Sequence, residues 1–298
     1  MLIMVSMNKL LKKLIIITAS FALAFLLIFI IYLVRAPVLI VTDLGFIPFY
    51  GERRIKSESL RSSLSLFRRV KTVGIADDAA DEVVKMAVSD ISRRPYCVIF
   101  PFRFSGAARL YREQYSGVPV VILEGMQVNS SSGSVLESSI NDYFIYQTDI
   151  AHDFHLAGLA AAALDIKKSG QIAVFMDNKL QLEAKKPFLD AIDTQNVVFF
   201  NSFSGDAEYP EFSCIVLAGT GAGILEERTD VPVIAFTWID PELLPGNIIA
   251  VFNDSPWSQA VKSVRMVSSG ITKGKIKSAL HITNKKKIDK DTLRKLLK

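Results

Sequence analysis

Twelve side chains of the kinds that hold small polar molecules lie near the ends of apolar runs in this chain. The set combines carboxylates, an amide and hydroxyls, which exchange hydrogen bonds with ligand hydroxyl groups, with aromatic rings, which stack on flat ligand faces. Its members are Asp43, Phe46, Phe102, Arg103, Ser105, Glu124, Asp177, Thr220, Trp238, Asp240, Asn253 and Asp254. This makeup predicts a ligand-binding site for a small polar molecule of the sugar or nucleoside class.

Several of these residues also have a simpler structural explanation. Ser105 and Thr220 precede Gly-Ala at predicted helix starts, so each hydroxyl could cap the helix, and the free N–H groups there could instead hold a ligand oxygen. Asp43 and Asp177 follow predicted strands, where aspartate is common in turns. Trp238 could pack in a core, and Arg103 could pair with a surface carboxylate. Both interpretations stay open for each residue.

Catalytic and metal chemistry have little support in the sequence. His152 and His155 lie three residues apart with Asp153 between them, but no cysteine or carboxylate cluster completes a metal site, which favours a solvated helix end near Asp149. His281 lies in the basic C-terminal region. The motifs Gly-Lys-Ser/Thr, Gly-x-Ser-x-Gly and His-Glu-x-x-His are all missing. We therefore predict no enzymatic activity, no cofactor and no metal.

Short apolar runs alternate with helix-like stretches after residue 36. Most runs are continuous Val, Ile and Phe, which is typical of parallel strands buried on both faces. The predicted strands are 37–42, 71–76, 96–102, 119–124, 143–147, 171–176, 197–202, 213–219, 232–238 and 248–252, and the predicted helices are 57–68, 78–93, 106–115, 151–168, 179–194, 221–228 and 256–269, with a Ser- and Gly-rich loop at 129–139. The alternation predicts an α/β architecture in which ligands bind beyond the carboxyl ends of the strands.

The sequence also contains an internal repeat. Residues 97–100, 105–110 and 118–122 read Cys-Val-Ile-Phe, Ser-Gly-Ala-Ala-Arg-Leu and Val-Pro-Val-Val-Ile. After offsets of 117, 115 and 113 residues, the chain reads Cys-Ile-Val-Leu, Thr-Gly-Ala-Gly-Ile-Leu and Val-Pro-Val-Ile-Ala. Chance similarity among strand–helix–strand units is the alternative explanation. A true repeat predicts two lobes of one design with a boundary near Asp149.

Two matched α/β lobes behind an apolar N-terminal segment resemble the type I periplasmic-binding-protein fold, shared by sugar-binding proteins and LacI-type effector domains. Residues 146–149 (Tyr-Gln-Thr-Asp) and the Ala-Gly-Leu-Ala at 157–160 resemble the crossover strand and the helix that opens the second lobe. Residues 170–175 and 232–240 resemble that lobe's first strand and a strand ending in a ligand-facing loop. The resemblance covers 37–283 and implies two Rossmann-like lobes with parallel sheets, at 37–148 and, with the crossover segments, 149–283, followed by a basic tail at 284–298.

The chain departs from this family pattern between the strands predicted at 197–202 and 213–219. The family has a full helix there, whereas 203–212 contains Gly205 and Pro210 and is too short, so the second lobe is trimmed. No helix-turn-helix precedes the domain, which argues against a repressor. Two functions stay open: a solute-binding or sensing domain, with a membrane permease as partner if it serves an ABC transporter, or a degenerate member that binds no small ligand and acts as an envelope interaction module.

Residues 14–34 form an uncharged apolar stretch of 21 residues. As a helix they would span about 31 Å, close to the hydrocarbon thickness of a bilayer. Lys9, Lys12 and Lys13 precede the stretch and only Arg35 follows closely, so the positive-inside rule predicts residues 1–36 as cytoplasmic terminus and transmembrane anchor. A cleaved signal peptide is the alternative, although signal cores are typically about 7–15 residues long. We predict a single-pass inner-membrane protein with residues 37–298 outside the cytoplasm.

The net charge of +5 is unevenly distributed. The first 35 residues carry +4 and those from 271 onward carry +8, so the body between them carries −7. An acidic body argues against a nucleic-acid partner, and the basic tail is either solvated or lies against anionic lipid. Cys97 and Cys214 are the only cysteines, and each lies in an apolar run, which predicts buried free thiols.

Overall fold

The computed structural model describes residues 2–92, 94–125, 143–165, 170–192, 196–285, 288 and 290–296, with side chains from residue 15 onward except that of residue 165. The loop predicted at 129–139 lies outside these ranges. The chain begins with helix α1 (Leu2–Val34). Its segment Ile15–Val34 has a mean hydropathy of 2.7, and none of it is buried against the rest of the chain. By length and composition, this is the one described helix that could cross a membrane.

The first lobe is built on a sheet of six parallel strands. In spatial order the strands are β2 (Val70–Ile75), β1 (Val38–Asp43), β3 (Cys97–Pro101), β4 (Val120–Glu124), β5 (Phe144–Thr148) and β11 (Lys273–Ile276). The apolar side chains of β1, β3 and β4 are nearly all buried, because helices cover both faces of the sheet. This explains why these strands read as unbroken apolar runs.

The second lobe repeats this plan. Its strands lie in the order β7 (Val197–Phe200), β6 (Gln171–Met176), β8 (Phe212–Ala218), β9 (Val233–Phe236), β10 (Ile248–Asn253) and β12 (Ala279–Ile282). Only β12 runs antiparallel to its neighbour. The internal repeat corresponds to β3–β4 in one lobe and β8–β9 in the other, so the prediction of two similar α/β lobes is confirmed. Cys97 and Cys214 lie on the equivalent strands β3 and β8, in different sheets, and both are buried and form no disulfide.

Helices cover the sheets. They are α2 (Phe46–Tyr50), α3 (Glu52–Leu66), α4 (Asp81–Ile91), α5 (Ser105–Gln114), α6 (Ile150–Asp165), α7 (Asn178–Asp190), α8 (Ile224–Glu227), α9 (Pro256–Ser268) and α10 (Lys290–Leu296). Helices α6 and α7 pack closely at Gly158, which has no side chain. A Cβ atom at this position would lie 2.6 Å from the carbonyl oxygen of Phe188. The α9 start is specified locally, with Ser255 accepting from the N–H of Ser258 and Pro256 at the first helical position.

The chain passes between the lobes after β5, after β10 and after β11. Helix α9 packs on α3 and on the first sheet, and its Trp257 is buried with Nε1 donating to Thr72 Oγ1 at 2.9 Å. Strand β11 extends the same sheet. Residues 256–276, counted above with the second lobe and its crossover segments, therefore pack on the first lobe.

Several elements differ from the sequence predictions. No helix lies between β7 and β8, as expected for a trimmed lobe, and the helix predicted at 221–228 is reduced to α8. Strands β11 and β12 and helices α2 and α10 were not predicted. His281 lies in β12, so its placement in the basic tail was wrong. The tail is not wholly solvated either, because Ile288 and Leu296 are buried in the core of the second lobe.

Candidate functional site between the lobes

A cavity of about 340 Å³ lies between the two lobes. The strands of each parallel array end at this level, so both lobes contribute loop residues to the wall. Five of the twelve predicted residues line the cavity: Phe46, Phe102, Arg103, Trp238 and Asp254. The remaining wall consists of Pro101, Leu123, Gly125, Phe236, Thr237, Phe252, Ser255, Pro256 and Ser278.

Aromatic rings from both lobes line the cavity. Phe46, on α2 of the first lobe, stacks on Trp238 of the second lobe with ring centroids 4.1 Å apart and an interplanar angle of 21°. Phe236 stacks on Phe252 in the same way, at 4.7 Å and 12°. Trp238 is half-buried and also contacts a core cluster of the protein. Core packing and a position in the cavity wall are therefore both true of this residue. These rings provide flat apolar surface to a ligand.

The cavity wall carries one guanidinium group, that of Arg103, and one carboxylate, that of Asp254. Arg103 forms ion pairs with the buried carboxylate of Asp43 and the exposed carboxylate of Asp77. The expectation that Arg103 pairs with a surface carboxylate is thus confirmed, and the same side chain lines the cavity. Asp254 lies directly after β10 and accepts from Thr148 Oγ1 at 3.1 Å. The guanidinium group of the wall is therefore already paired with two carboxylates, and the other charged wall residue, Asp254, is itself an acid, which disfavours an anionic ligand.

Two backbone features shape the wall beside Asp254. A Cβ atom on Gly125 would lie 3.1 Å from Asp254 Oδ2, so the absence of a side chain at 125 lets the carboxylate approach the chain. In the connection between β11 and β12, the N–H of Ser278 donates to both carboxylate oxygens of Asp153, at 3.0 and 3.3 Å. The hydrogen bonds between Ser278 and Asp153 hold the crossing from β11 to β12 in place beside the cavity.

Asp153 is buried, with 1% of its surface exposed, and His152 Nδ1 lies 3.0 Å from its Oδ1. Burial raises the pKa of the Asp153 carboxyl above its usual range, while the hydrogen bonds to Ser278 and His152 act in the opposite direction. The interpretation of this region as a solvated helix end is therefore wrong for Asp153, because the crossover at Ser278 covers it. Among the described residues, no group of three or more potential ligands could hold a metal ion.

Four other predicted residues hold backbone or bridge the lobes and do not line the cavity. Asn253 is fully buried, accepts from the N–H of Ser255 at 2.9 Å and donates to Tyr50 Oη at 3.3 Å. Asp240 caps the turn Pro241–Leu243, and its own N–H donates to the carbonyl of Phe49 at 2.6 Å. The other two are Asp177, which caps α7 through the N–H groups of Lys179 and Leu180, and Glu124, which accepts from Gln147 Nε2 at 2.5 Å.

Ser105 and Thr220 also lie outside the cavity wall. Ser105 is the first residue of α5, whose N-cap is Phe104 without a side-chain hydrogen bond, and the N-cap of α8 is Gly223. The helix-cap interpretation is therefore wrong for both hydroxyls. Thr220 Oγ1 is buried and has no hydrogen-bond partner among the described residues.

The sequence analysis missed nine wall residues. Ser255, Pro256 and Thr237 adjoin predicted residues and follow from the same strand-end rule. Ser278 could not be found this way, because it joins β11 to β12 and neither strand was predicted. A prediction of two short strands after the helix at 256–269 would have placed Ser278 in the connection between them.

Comparisons with known proteins identify the fold of the chain. No protein-family model matches the chain, and no curated protein matches its sequence. Solved structures do match: AraP, an arabinose-binding protein from Geobacillus stearothermophilus, has 19% identity and a TM-score of 0.54 over 80% of this chain and 88% of that one. The chain has the type I periplasmic-binding-protein fold. The fold expected from the sequence resemblance is thus confirmed.

Other members of this fold class match equally well and have different roles. An ABC transporter periplasmic solute-binding protein from Actinobacillus succinogenes with bound D-allose has 12% identity and a TM-score of 0.54 over 88% of this chain and all of that one. A transcriptional activator of the comK gene from Bacillus halodurans has 12% identity and a TM-score of 0.55 over 88% and 95%. At these identities the likeness concerns the fold alone, and function must be argued from the cavity.

Proposed function

We propose that this protein is a membrane-anchored extracytoplasmic domain that binds a small polar molecule of the sugar or nucleoside class between its lobes. The observation that carries the proposal is the interlobe cavity, whose wall combines aromatic rings with a few polar side chains. Its volume of about 340 Å³ falls within the range of roughly 300–1,000 Å³ that small-molecule sites have. Binding would serve uptake with a membrane permease, or sensing.

The lining favours a neutral or cationic ligand with one flat apolar face. Phe46 and Trp238 supply stacking surface, while Asp254, Thr237 and Ser278 supply polar groups for ligand hydroxyls. Because Arg103 is already paired with Asp43 and Asp77 and the other charged wall residue is Asp254, the wall offers no unpaired positive charge to a phosphate or carboxylate ligand. The arabinose-binding and D-allose-bound proteins of the same fold support the sugar class by analogy.

The apolar segment Ile15–Val34 supports attachment to the membrane, since none of its residues is buried and it is long enough to span the hydrocarbon core. The lysines that precede it support an orientation with the two lobes outside the cytoplasm. A domain held at the inner membrane in this way would stay close to any permease that it serves.

Tryptophan fluorescence of the full chain in detergent micelles tests the binding proposal. Trp238 and Trp257 are the only tryptophans, and Trp257 is buried in the first lobe, where it donates to Thr72. A bound sugar or nucleoside should change the emission of Trp238 and raise the melting temperature. At a ligand concentration of about 100 times Kd the stabilisation should be about 2.7 kcal/mol.

Two variants serve as controls. Trp238→Phe should abolish the fluorescence response, and Asp254→Asn should weaken binding by about 10- to 100-fold, since a hydrogen bond to a charged group contributes roughly 1.5–3 kcal/mol. If a broad panel of sugars, nucleosides and amino acids changes neither emission nor melting temperature, the solute-binding proposal fails. The interaction module would then be the better interpretation.

A further inference from the structure

The amino ends of the first-lobe strands form one surface, because all six strands are parallel. We define the base of the first lobe as the segments that precede these strands. They are residues 35–37, 67–69, 94–96, 115–119, 143 and 269–272, together with Lys273 at the start of β11. The cavity lies at the opposite ends of the same strands.

Helix α1 joins the lobe at this base. It ends at Val34, and β1 begins at Val38, whose side chain is fully buried. The three intervening residues span at most about 11 Å, so the end of α1 cannot lie far from the base. Arg68 Nη1 also donates to the carbonyl of Ala36 at 3.3 Å, which attaches the connection to the segment that precedes β2.

Aromatic contacts reinforce this junction. The ring of Tyr32, in the last turns of α1, lies 5.8 Å from the ring of Phe67, and the guanidinium of Arg35 lies 5.1 Å from the same ring. Phe67 has a φ of 49°, the one positive value among the described non-glycine residues and an uncommon conformation for a bulky side chain. The chain thus adopts a rare backbone conformation where the lobe contacts α1.

The base is entirely basic. Its charged residues are Arg35, Arg68, Arg69, Arg94 and Lys273, and its segments contain no aspartate or glutamate. Asp142, which precedes Tyr143 in the sequence, lies outside the described residues. Within the described part of the chain, Asp90 and Glu113 lie near the ends of α4 and α5, and Glu113 lies 3.8 Å from Arg109. Arg35, Arg94 and Lys273 are exposed, and so is the apolar side chain of Ile271, at 44%. This concentration of positive charge contrasts with the net charge of −7 over residues 36–270.

We propose that the base of the first lobe docks on the anionic phospholipid headgroups of the membrane that α1 enters. This inference rests on the membrane anchoring proposed above. Guanidinium groups bind phosphate through paired, charge-assisted hydrogen bonds, and exposed arginines and lysines are attracted to an anionic lipid surface. Docking places the interlobe cavity one strand length, about 20 Å, above the headgroups and directs it away from the bilayer.

The test uses the full chain in lipid nanodiscs of phosphatidylcholine, with or without phosphatidylglycerol. A fluorophore is attached to Ile271→Cys at the base or, as a matched control, to Leu182→Cys, which is 86% exposed on α7 of the second lobe. The native Cys97 and Cys214 are buried, so labelling is selective. Lipids with a nitroxide on the headgroup quench fluorophores that lie close to the membrane surface.

We expect several-fold stronger quenching at position 271 than at 182, with a further increase when phosphatidylglycerol is present. The double variant Arg94→Glu, Lys273→Glu should remove the increase without changing the melting temperature, because both side chains are exposed. Equal quenching at positions 271 and 182 would overturn the docking proposal but not the membrane anchor. The same holds if quenching at position 271 is unchanged when phosphatidylglycerol is added. A chain that does not co-elute with nanodiscs would overturn the anchor and the docking together, while ligand binding in micelles stays a separate question.

Discussion

Arg103 illustrates how one side chain can serve both the cavity and the stability of the lobe. Asp43, at the end of β1, is 5% exposed and depends on Arg103 for its ionic partner, although the N–H of Gly45 also donates to it at 2.7 Å. The guanidinium itself is 38% exposed. Leaving a buried carboxylate without its partner lowers the stability of the folded protein strongly, whereas an exposed ion pair adds little to that stability.

Arg103→Met should therefore lower the free energy of unfolding by about 1–3 kcal/mol, since the Asp43 carboxylate would keep only its backbone donor. Urea unfolding of the full chain in micelles measures this loss. The matched variant Arg109→Met removes an exposed pair with Glu113 at 3.8 Å and should change stability by less than about 0.5 kcal/mol. Equal effects of the two substitutions would contradict the role assigned to the Asp43–Arg103 pair.

At the scale of elements, the contact between α6 and α7 depends on Gly158. A Cβ atom there would lie 2.6 Å from the Phe188 carbonyl oxygen and 2.8 Å from Ala191 Cβ, which is closer than real Cβ contacts allow. The helices would have to separate to accept any side chain. Alanine in a helix interior normally stabilises relative to glycine by up to about 1 kcal/mol, so packing and propensity oppose each other at this position.

We expect packing to dominate, with Gly158→Ala destabilising the protein by about 1–3 kcal/mol in urea unfolding. Gly246 provides the comparison, because a Cβ there would meet no atom within 4 Å and its φ is not positive. Gly246→Ala should be neutral or slightly stabilising. A stabilising effect of Gly158→Ala would show that α6 and α7 pack less closely than described.

Strand β12 makes the second lobe sensitive to acid through His281. Burial, and secondarily the positive charges of Arg54 and Arg61, lower the pKa of His281 to about 4. Its Nε2 is buried without a hydrogen-bond partner among the described residues. In the unfolded chain the pKa is about 6.5, so between pH 6.5 and 4 the unfolded state binds the extra proton. Stability should therefore fall as the pH decreases through this window.

His281→Gln should reduce that loss by about 1–2 kcal/mol at pH 4.5, a value lowered to allow for partial exposure of the ring. Melting temperatures of parent and variant at pH 7 and pH 4.5 give the comparison. The raised pKa of Asp153 acts in the opposite direction but is common to both proteins, so it cancels. His155→Gln, at an exposed position, should leave the acid sensitivity unchanged.

At the scale of the whole molecule, the two ends of the first-lobe strands differ in charge. The N-terminal helix and the base of the first lobe are positive, whereas the charged residues of the cavity wall are Arg103, which is paired with Asp43 and Asp77, and the acidic Asp254. This polarity is consistent with a membrane at one end and a neutral or cationic solute at the other. The lysines before Ile15 support the proposed orientation, with the two lobes outside the cytoplasm.

Protease added to intact spheroplasts should digest residues 37–298 and leave cytoplasmic marker proteins unchanged. The same preparation should yield a mature chain that retains residues 15–34, which mass spectrometry of the N-terminus would establish. Protection of the two lobes would show the reverse orientation. A mature N-terminus after residue 30 would show that the apolar segment is a cleaved signal peptide.

The sequence by itself determined the α/β class, the repeated lobe and ten of the twelve strands. These features are encoded locally, because a strand buried on both faces must be apolar along its length, as in β3 and β8. Strands β11 and β12 were missed since Lys273–Ile276 is half polar and takes its place only by pairing with β5, about 130 residues earlier in the chain. Helix α10 was missed for a similar reason, because its buried residue Leu296 lies in a lysine-rich stretch of the sequence.

Only the tertiary structure decided which candidate residues meet. The strand-end rule selected Phe46 and Trp238 separately, but their stacking depends on how the lobes are placed. The rule could not distinguish Asp254, which reaches the cavity, from Asp177 and Asp240, which cap helical turns. A side chain's type and position along a strand are local properties, whereas its partner is set by residues up to two hundred positions away, as for Tyr50 and Asn253.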